Sequence, residues 1–577
     1  MIRASRWNVL GFTALSIGFA PAQAVLAQPQ VSPSANVTRQ LEELSRQRVP
    51  GIPLPRSPQF DLRLQATEKS GAPKSVDELV FDVLSVRVTG NTVFPDREVD
   101  AIFADAVGAG ITLEALRNRA DALQQAFRQR GYFLTRVFIP PQQVRDGIFE
   151  VQVIEGFISA VYIDGDASDD LRHRVESLTR RLTATRPVKL SSIERSLLTV
   201  NDLPGVSAVS VLRQGAERGA TEIVISVKAL PDSKNLSLNN TGSLSVGPDT
   251  LALNANYNSP FGRLGALSLG ASAGGDPGNV NELKGLTARY VFPLGPTGAL
   301  ASVGGLLFYA QPGASLRALE IGSLSASASL RLHQPIQRSR VSSVYIDLGV
   351  AVNRSRTTLS GQRIGLDKST VGEATLSWQQ DGPSSASTSA SLSAFRGLPL
   401  LDRSKGTDAL VSTPGFNPDF LKFAVTAQRT QPLPLEGLSV LAAVQGQWSD
   451  DVLPAAEQVS FGGPGIGRGY DPGAQSGVRG IGGGLELRCD CLVGRGQAIG
   501  PTQLYAFVDG GLVWVRGAPD QPSERSSLGS FGAGVRVPLM GRSILDLQVA
   551  KALRRLDGDN QRSNPRTLFS LAVNLPF

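Results

Sequence analysis

The chain ends in Phe569-Ser-Leu571-Ala-Val573-Asn-Leu575-Pro-Phe577, where every second residue is apolar and the last residue is aromatic. Because successive side chains of an extended strand point to opposite faces, this period of two places the apolar residues on one face. The carboxyl terminus is therefore predicted to be a β-strand with one apolar face.

The same alternation recurs upstream, in segments separated by Gly, Pro, Asn and Asp turns, at residues 251–257, 324–332, 344–352 and 504–513. No helical pattern interrupts residues 231–577, so this region is predicted to be antiparallel and all-β. A soluble β-sandwich is the alternative, but roughly 340 residues without a helix would be unusual for that fold. No run of about 18 apolar residues indicates a membrane helix, whereas alternating barrel strands escape such a search.

The composition narrows the function classes. The formal charge of +7 is modest for 577 residues and is not gathered in basic blocks, which disfavours nucleic-acid binding. Cys489 and Cys491 are the only thiols, and a single C-x-C lacks the second ligand pair of a zinc site. The two cysteines are expected to form a small-ring disulfide or to be two free thiols. No metal or other cofactor is expected.

The amino terminus has the features of a signal peptide over residues 1–27. Arg3 and Arg6 precede an apolar stretch, and small-x-small cleavage candidates lie at residues 22–24 and 25–27. The mature chain is therefore predicted to be exported. An exported chain with the final strand quoted above is predicted to be an outer-membrane β-barrel, with Phe577 as its assembly signal for the barrel assembly machinery.

Residues 28–48 follow the signal peptide and contain a predicted helix from residue 34. Val37, Leu41 and Leu44 give it only a narrow apolar stripe, which suits a hydrated cavity better than a packed core. Prolines then stop the helix, and residues 49–75 are predicted to be a stiff, extended linker.

Residues 76–156 and 157–230 have the pattern of two small α/β units. Each shows the order β-α-α-β-β, with predicted helices at 96–107 and 113–130 in the first unit and at 171–182 and 191–198 in the second. Two consecutive copies of one unit are an internal repeat.

A glycine-rich segment, Phe461-Gly-Gly-Pro-Gly-Ile-Gly-Arg468-Gly-Tyr470-Asp-Pro-Gly473, interrupts the all-β region. It lacks the Lys-Ser/Thr ending of a P-loop and the G-x-G-x-x-G spacing, which argues against a nucleotide site. We interpret residues 461–481 as a loop folded into the barrel lumen. Such a loop, doubled back on itself, can reach roughly 30 Å, enough to cross most of an apolar band about 25 Å tall.

In this order of segments the chain resembles the TpsB transporters of two-partner secretion, the ShlB/FhaC/HecB haemolysin secretion and activation family. Two motifs carry the resemblance. Residues 457–463 with Gly467-Arg468-Gly469-Tyr470 are similar to the family's signature on the sixth extracellular loop, and Phe507, Asp509 and Gly511 are similar to its F-x-D-x-G signature on a later strand.

The resemblance implies periplasmic POTRA repeats, a transmembrane antiparallel barrel of sixteen strands and an N-terminal helix that plugs the pore. It also implies that Arg468 of the loop pairs with Asp509 of the wall. The planar fork of an arginine can hold a carboxylate through two hydrogen bonds.

The implied function is export of an unfolded TpsA-type exoprotein, haemolysin-like or adhesin-like, through an outer-membrane pore surrounded by lipid. A barrel-insertion factor of the same superfamily and a passive porin or receptor are the alternatives. An enzyme is not expected, because the one G-x-S-x-G match, at residues 270–274, lies among predicted strands and does not open a helix.

Overall fold

The structure is a computed structural model that describes residues 80–575, except for 145, 166, 277–278, 383–384, 493–499, 516–523, 541 and 557–563. The predicted signal peptide (1–27), helical segment (28–48) and linker (49–75) lie outside the described residues, as does Phe577. These assignments stay predictions.

The first α/β unit packs helices on a small mixed sheet. Its elements are β1 (Val80–Val83), β2 (Ser85–Thr89), α1 (Asp96–Phe103), the 3₁₀ turn Ala104–Ala106, β3 (Gly108–Thr112), α2 (Leu113–Gln129), β4 (Arg136–Phe138) and β5 (Ile148–Ile154). In the sheet β2-β5-β4, β2 is parallel to β5 and β4 is antiparallel to it.

Helix α2 shows why the sequence folds this way. The Thr112 hydroxyl caps its first turn by accepting from the Ala115 amide at 3.1 Å. Leu116, Leu123 and Phe127 recur at helical spacing and are buried against the sheet.

The second unit repeats the order β2-α1-α2-β4-β5 of the first, without counterparts of β1 and β3 among the described residues. It consists of β6 (Phe157–Asp164), α3 (Asp169–Ala184), α4 (Leu190–Asn201), β7 (Val206–Gln214) and β8 (Ala220–Ala229). Its sheet order, β6-β8-β7, with β6 parallel and β7 antiparallel to β8, matches that of the first unit.

The rest of the described chain forms a closed antiparallel barrel of sixteen strands, which confirms the predicted fold class. Its strands are β9 (Ser233–Asn239), β10 (Asp249–Asn258), β11 (Ala266–Asp276), β12 (Asn279–Leu294), β13 (Ala299–Ala310), β14 (Ile321–Arg338), β15 (Ser342–Leu359), β16 (Gln362–Asp381), β17 (Ser387–Gly397), β18 (Leu421–Pro432), β19 (Leu438–Ser449), β22 (Arg479–Leu492), β23 (Thr502–Val515), β24 (Glu524–Leu539), β25 (Ser543–Ala552) and β26 (Arg566–Leu575). Two short strands, β20 (Val459–Phe461) and β21 (Gln475–Gly477), pair with each other in a separate sheet that is not part of the barrel wall. Across the described residues, none of the helices is both long and apolar enough to cross a membrane.

Side chains alternate between the two faces of the wall. On β15, Leu348 and Val352 are exposed on the outside, whereas Ser355 and Thr357 are buried inside. An apolar outer face and a polar inner face are what a lipid-embedded barrel requires.

The second α/β unit is joined to the barrel by ion pairs. Arg338, at the end of β14, binds both oxygens of Asp202 at 2.8 and 3.0 Å, and both side chains are buried. In the turn that follows, Arg340 lies 2.7 Å from Glu194 of α4. These contacts place the start of β15 at the end of the barrel that faces the α/β units.

Candidate functional site

The candidate site is the long connection between β19 and β22, the eleventh and twelfth barrel strands. Its hairpin is closed by β20 and β21, in register from Val459 with Gly477 to Phe461 with Gln475. The predicted loop boundary at residue 481 is wrong, because β22 begins at Arg479 and residues 479–481 already pair in the wall.

Phe461 seats the loop against the inner wall. Its ring is fully buried, and a Cβ atom added to Gly511 or to Gly482 would lie 2.6 Å from the ring. The wall glycines therefore leave the space that the ring occupies. Gly511, a member of the predicted wall motif, contributes by having no side chain, because this leaves room for the Phe461 ring.

Arg468 lies between two wall carboxylates. Its Nη1 donates to Glu486 Oε2 at 2.8 Å, its Nε lies 3.2 Å from Asp509 Oδ2, and its Cζ stands 3.8 Å above the centre of the Phe507 ring. The structure thus brings the predicted residues Arg468, Phe507 and Asp509 together. The expected fork on a single carboxylate is wrong, since the hydrogen bond goes to Glu486 and the contact with Asp509 is an ion pair without a hydrogen bond.

Asp509 instead holds the loop backbone. Its Oδ1 accepts from the Gly467 amide at 2.8 Å and also from the Ser530 hydroxyl. Gly467 has a φ of +88°, and a Cβ there would come within 2.7 Å of Leu528. A glycine at this position permits both the left-handed backbone and the close approach to the wall.

Glu486 is the site residue that the sequence analysis missed. Its side chain is 3% exposed and accepts from Arg468, from Arg488 Nε at 2.8 Å and from Arg536 Nη1 at 2.8 Å. Arg536 also reaches Asp546 at 3.1 Å. The only sequence signal is the alternation Leu485-Glu486-Leu487-Arg488, in which the leucines face outward and the charged residues face inward.

Tyr470 and Asp471 extend the loop's anchorage to the place where the barrel closes. The Tyr470 hydroxyl lies 2.7 Å from the Arg554 carbonyl, and the Tyr470 carbonyl accepts from Arg566 of the last strand, β26. Arg566 also donates at 3.2 Å to the carbonyl of Gly242, which follows β9, the first strand of the barrel. Asp471 Oδ2 accepts from the Leu244 amide at 2.9 Å.

Gly469 lets the loop reach this position. A Cβ atom there would lie 2.6 Å from the Ala552 amide nitrogen. All four residues of the predicted Gly467-Arg468-Gly469-Tyr470 motif therefore touch the wall or permit the contact.

The base of the loop has its own buried ion pair. Lys422 Nζ lies 2.7 Å from Glu457 Oε2, with both side chains at most 9% exposed. The Glu457 carbonyl accepts from Gln447 Nε2 at 3.0 Å.

The described residues include no group of three His, Cys, Asp or Glu side chains arranged to hold a metal ion. Cys489 is disulfide-bonded. A lumenal cavity of 420 Å³ is lined by five charged residues, Arg468, Glu486, Arg488, Arg536 and Asp546. Its chemistry is electrostatic fastening of a loop to a wall.

Comparison with known proteins gives two family matches. Residues 219–537 match the sequence profile of the haemolysin secretion/activation protein ShlB/FhaC/HecB, and residues 81–156 match that of the ShlB-type POTRA domain.

Individual relatives are distant. The heme/hemopexin transporter protein HuxB of Haemophilus influenzae (strain 86-028NP) is 24% identical over 44% of this chain, and the match spans only 45% of HuxB's own length. The outer membrane transporter CdiB of Escherichia coli is 23% identical over 79% of this chain and 76% of its own.

Two solved structures share the fold. CdiB from Escherichia coli aligns with a TM-score of 0.71 at 19% identity, and CdiB from Acinetobacter baumannii with a TM-score of 0.64 at 18% identity. Each alignment covers 96% of this chain and the whole of the other.

Proposed function

Since the chain belongs to the haemolysin secretion/activation family ShlB/FhaC/HecB, we propose that it secretes a large exoprotein of the TpsA type, haemolysin-like or adhesin-like, through its barrel. The barrel lies in the bacterial outer membrane, with the α/β units in the periplasm. The exoprotein crosses unfolded and folds at the cell surface, and this folding gives transport its direction.

The observation that carries the proposal is the position of Arg468 between Glu486 and Asp509. A loop held inside a lumen by one arginine and two carboxylates is fixed, yet its fastening is not covalent. Removing one partner of such a pair costs roughly 3–5 kcal/mol in a dry site and less in a wet lumen. A passing polypeptide that displaces the loop therefore faces a surmountable barrier.

The periplasmic units supply surfaces for capture. The sheet orders β2-β5-β4 and β6-β8-β7 leave each sheet two outer strands, and Val209 and Val211 on β7 are exposed. An unfolded exoprotein can add an extended segment to such an edge through main-chain hydrogen bonds. The segment 28–48, outside the described residues, is proposed to plug the pore and to leave it during transport.

The test is Arg468→Ala, coexpressed with a TpsA-type exoprotein whose export by the wild-type protein is measured first. We expect export to fall at least about tenfold, because the loop loses contacts to two carboxylates worth more than 1.4 kcal/mol. The exoprotein is quantified in the medium, and heat-modifiable migration checks that the barrel is folded in the outer membrane.

Arg317→Ala is the matched control. Arg317 also pairs with two carboxylates, Asp276 and Glu282, but lies outside the loop. Export by this variant should equal that of the wild type. Normal export by Arg468→Ala with a folded barrel would reject the role proposed for the loop.

A further inference from the structure

The outer surface of β15 changes from apolar to basic in a single step. Its outward residues are apolar from Val344 to Val352, and the next two are Arg354 and Arg356, both exposed. The apolar part covers roughly 27 Å along the strand, or about 20 Å across a membrane once the strand tilt is included. The two arginines therefore lie at the edge of the lipid band.

The periplasmic contacts identify which edge this is. Arg340, just before β15, binds Glu194 of the second periplasmic unit, so β15 starts on the periplasmic side. Arg354 and Arg356 near its other end consequently face the outer leaflet. The position of Tyr309 agrees with placing Arg356 at the membrane interface. Tyr309 lies in the same cross-strand row as Leu324 and Arg356, and aromatic side chains form girdles at the interfaces of membrane barrels.

Positive charge at this edge exceeds the negative charge available. Among the described residues, the guanidinium groups of Arg354 and Arg356 make no ion pair and no side-chain hydrogen bond, and Asp402 is the carboxylate that interacts electrostatically with Arg354. Lys368 stands directly opposite Arg354 in the strand register, and its ammonium pairs with Asp402. Like charges placed opposite each other on neighbouring strands are destabilising unless an anion joins them.

Another rim arginine shows the contrast. Arg479 donates to the Ser449 carbonyl, pairs with Asp450 and stacks on Trp448 at 4.0 Å. The protein thus neutralises this rim arginine internally and leaves Arg354 and Arg356 available.

We propose that Arg354 and Arg356 bind the phosphate groups of the phosphorylated glycolipid in the outer leaflet. Residues two apart on one strand face stand about 7 Å apart, so their two guanidinium groups can converge on one phosphate. Val352, Leu348 and Leu330, which are exposed below them, offer a surface to the acyl chains. The site takes a ligand with a phosphate above and hydrocarbon below.

The experiment titrates the full-length protein in detergent with bis-phosphorylated lipid A and counts bound lipid by native mass spectrometry. Each of Arg354→Gln and Arg356→Gln should weaken binding about fivefold, and the double variant should weaken it about 25-fold. Arg354→Lys with Arg356→Lys should retain most of the binding, because both charges remain. Heat-modifiable migration verifies that every variant is folded.

Arg429→Gln is the control, since it removes an exposed outward charge from the periplasmic half of β18. Its lipid A binding should equal that of the wild type, and an equal loss there would overturn the site in favour of general charge attraction. Dephosphorylated lipid A should bind wild type and double variant alike. Effective competition by millimolar inorganic phosphate would overturn the lipid assignment, because it would identify a free-phosphate site. Undiminished lipid A binding by the folded double variant would overturn it as well.

Discussion

The two halves of the barrel lumen differ in chemistry. The side formed by β22–β25, called the charged half, carries Glu486, Arg488, Arg536 and Asp546 in one connected set of ion pairs, and Arg468 of the covering loop joins Asp509 to this set. The half formed by β9–β14 lines a cavity of 630 Å³ with Asn, Ser, Thr, Gly and apolar side chains, and Arg289 is the one charged residue among the described residues that line it.

We infer from this difference that the charged half holds the loop and that the other half is the path along which a polypeptide passes. Charges are concentrated where a loop must be held, because a confined ion pair is costly to break. The half with few charges, called the neutral half below, presents mainly hydroxyls and amides, which can exchange hydrogen bonds with a polypeptide backbone, and Arg289 alone supplies a fixed charge among the described residues that line its cavity. Four substitutions test whether the charged half alone holds the loop in place.

The largest effect is expected from Glu486→Ala. It removes the acceptor shared by Arg468, Arg488 and Arg536 and leaves three cations close together. The free energy of unfolding should fall by about 3–5 kcal/mol, less whatever water in the lumen restores. Urea titration of the barrel in detergent measures it.

Ser272→Ala on the neutral half is the control, with an expected change within about 0.5 kcal/mol. Similar losses in the two variants would show that the halves do not differ in their contribution to stability.

A somewhat smaller effect is expected from Arg566→Ala, at the boundary where the halves meet. Arg566 donates to the carbonyls of Tyr470 in the loop and of Gly242 just after β9. Strands β26 and β9, which close the barrel, share only six register pairs and are not joined by a turn. Losing these two charged hydrogen bonds should cost about 3 kcal/mol.

Hydrogen exchange should reveal the location of that loss. We expect faster exchange along β9 and β26 than in the wild type, and unchanged exchange along β15 and β16. An equal increase on all four strands would argue against a local role for Arg566.

Much of this architecture is readable from the sequence, but the charged network is not. Alternation predicts the strands, as in residues 344–352, and helical spacing predicts α2, because both patterns depend on neighbouring residues. Arg468 and Asp509 were found through a resemblance in two motifs. Glu486 carries no motif, and its contacts join residues up to 50 positions apart. These residues come together only through the register of β22 against β23 and of β23 against β24.

A third, smaller effect is expected from Gly511→Ala. The new methyl group would lie 2.6 Å from the Phe461 ring, so the ring must shift away from the wall. Overpacking of this kind costs roughly 1–3 kcal/mol. Single-channel recordings should show more frequent conductance fluctuations, because the loop loses its seat while Arg468 stays bound.

Gly305→Ala on the neutral half is the matched change, since a Cβ there meets no atom closer than 3.6 Å. It should leave the recordings unaltered. Equal fluctuations in the two variants would disconnect the Phe461 seat from the motion of the loop.

The smallest effect on stability is expected from Asn254→Asp, which places one charge on the neutral half without changing the side chain's shape. Asn254 of β10 lies opposite Asn235 and Gly270 and lines the open cavity, so water can solvate the new carboxylate. The free energy of unfolding should change by less than about 0.5 kcal/mol. Cation selectivity should nevertheless rise, because a fixed negative charge in a water-filled pore attracts cations. The reversal potential across a planar bilayer under a salt gradient measures this. A stability loss comparable to that of Glu486→Ala would mean that the neutral half also fastens the structure, and an unchanged reversal potential would mean that ions do not pass along it.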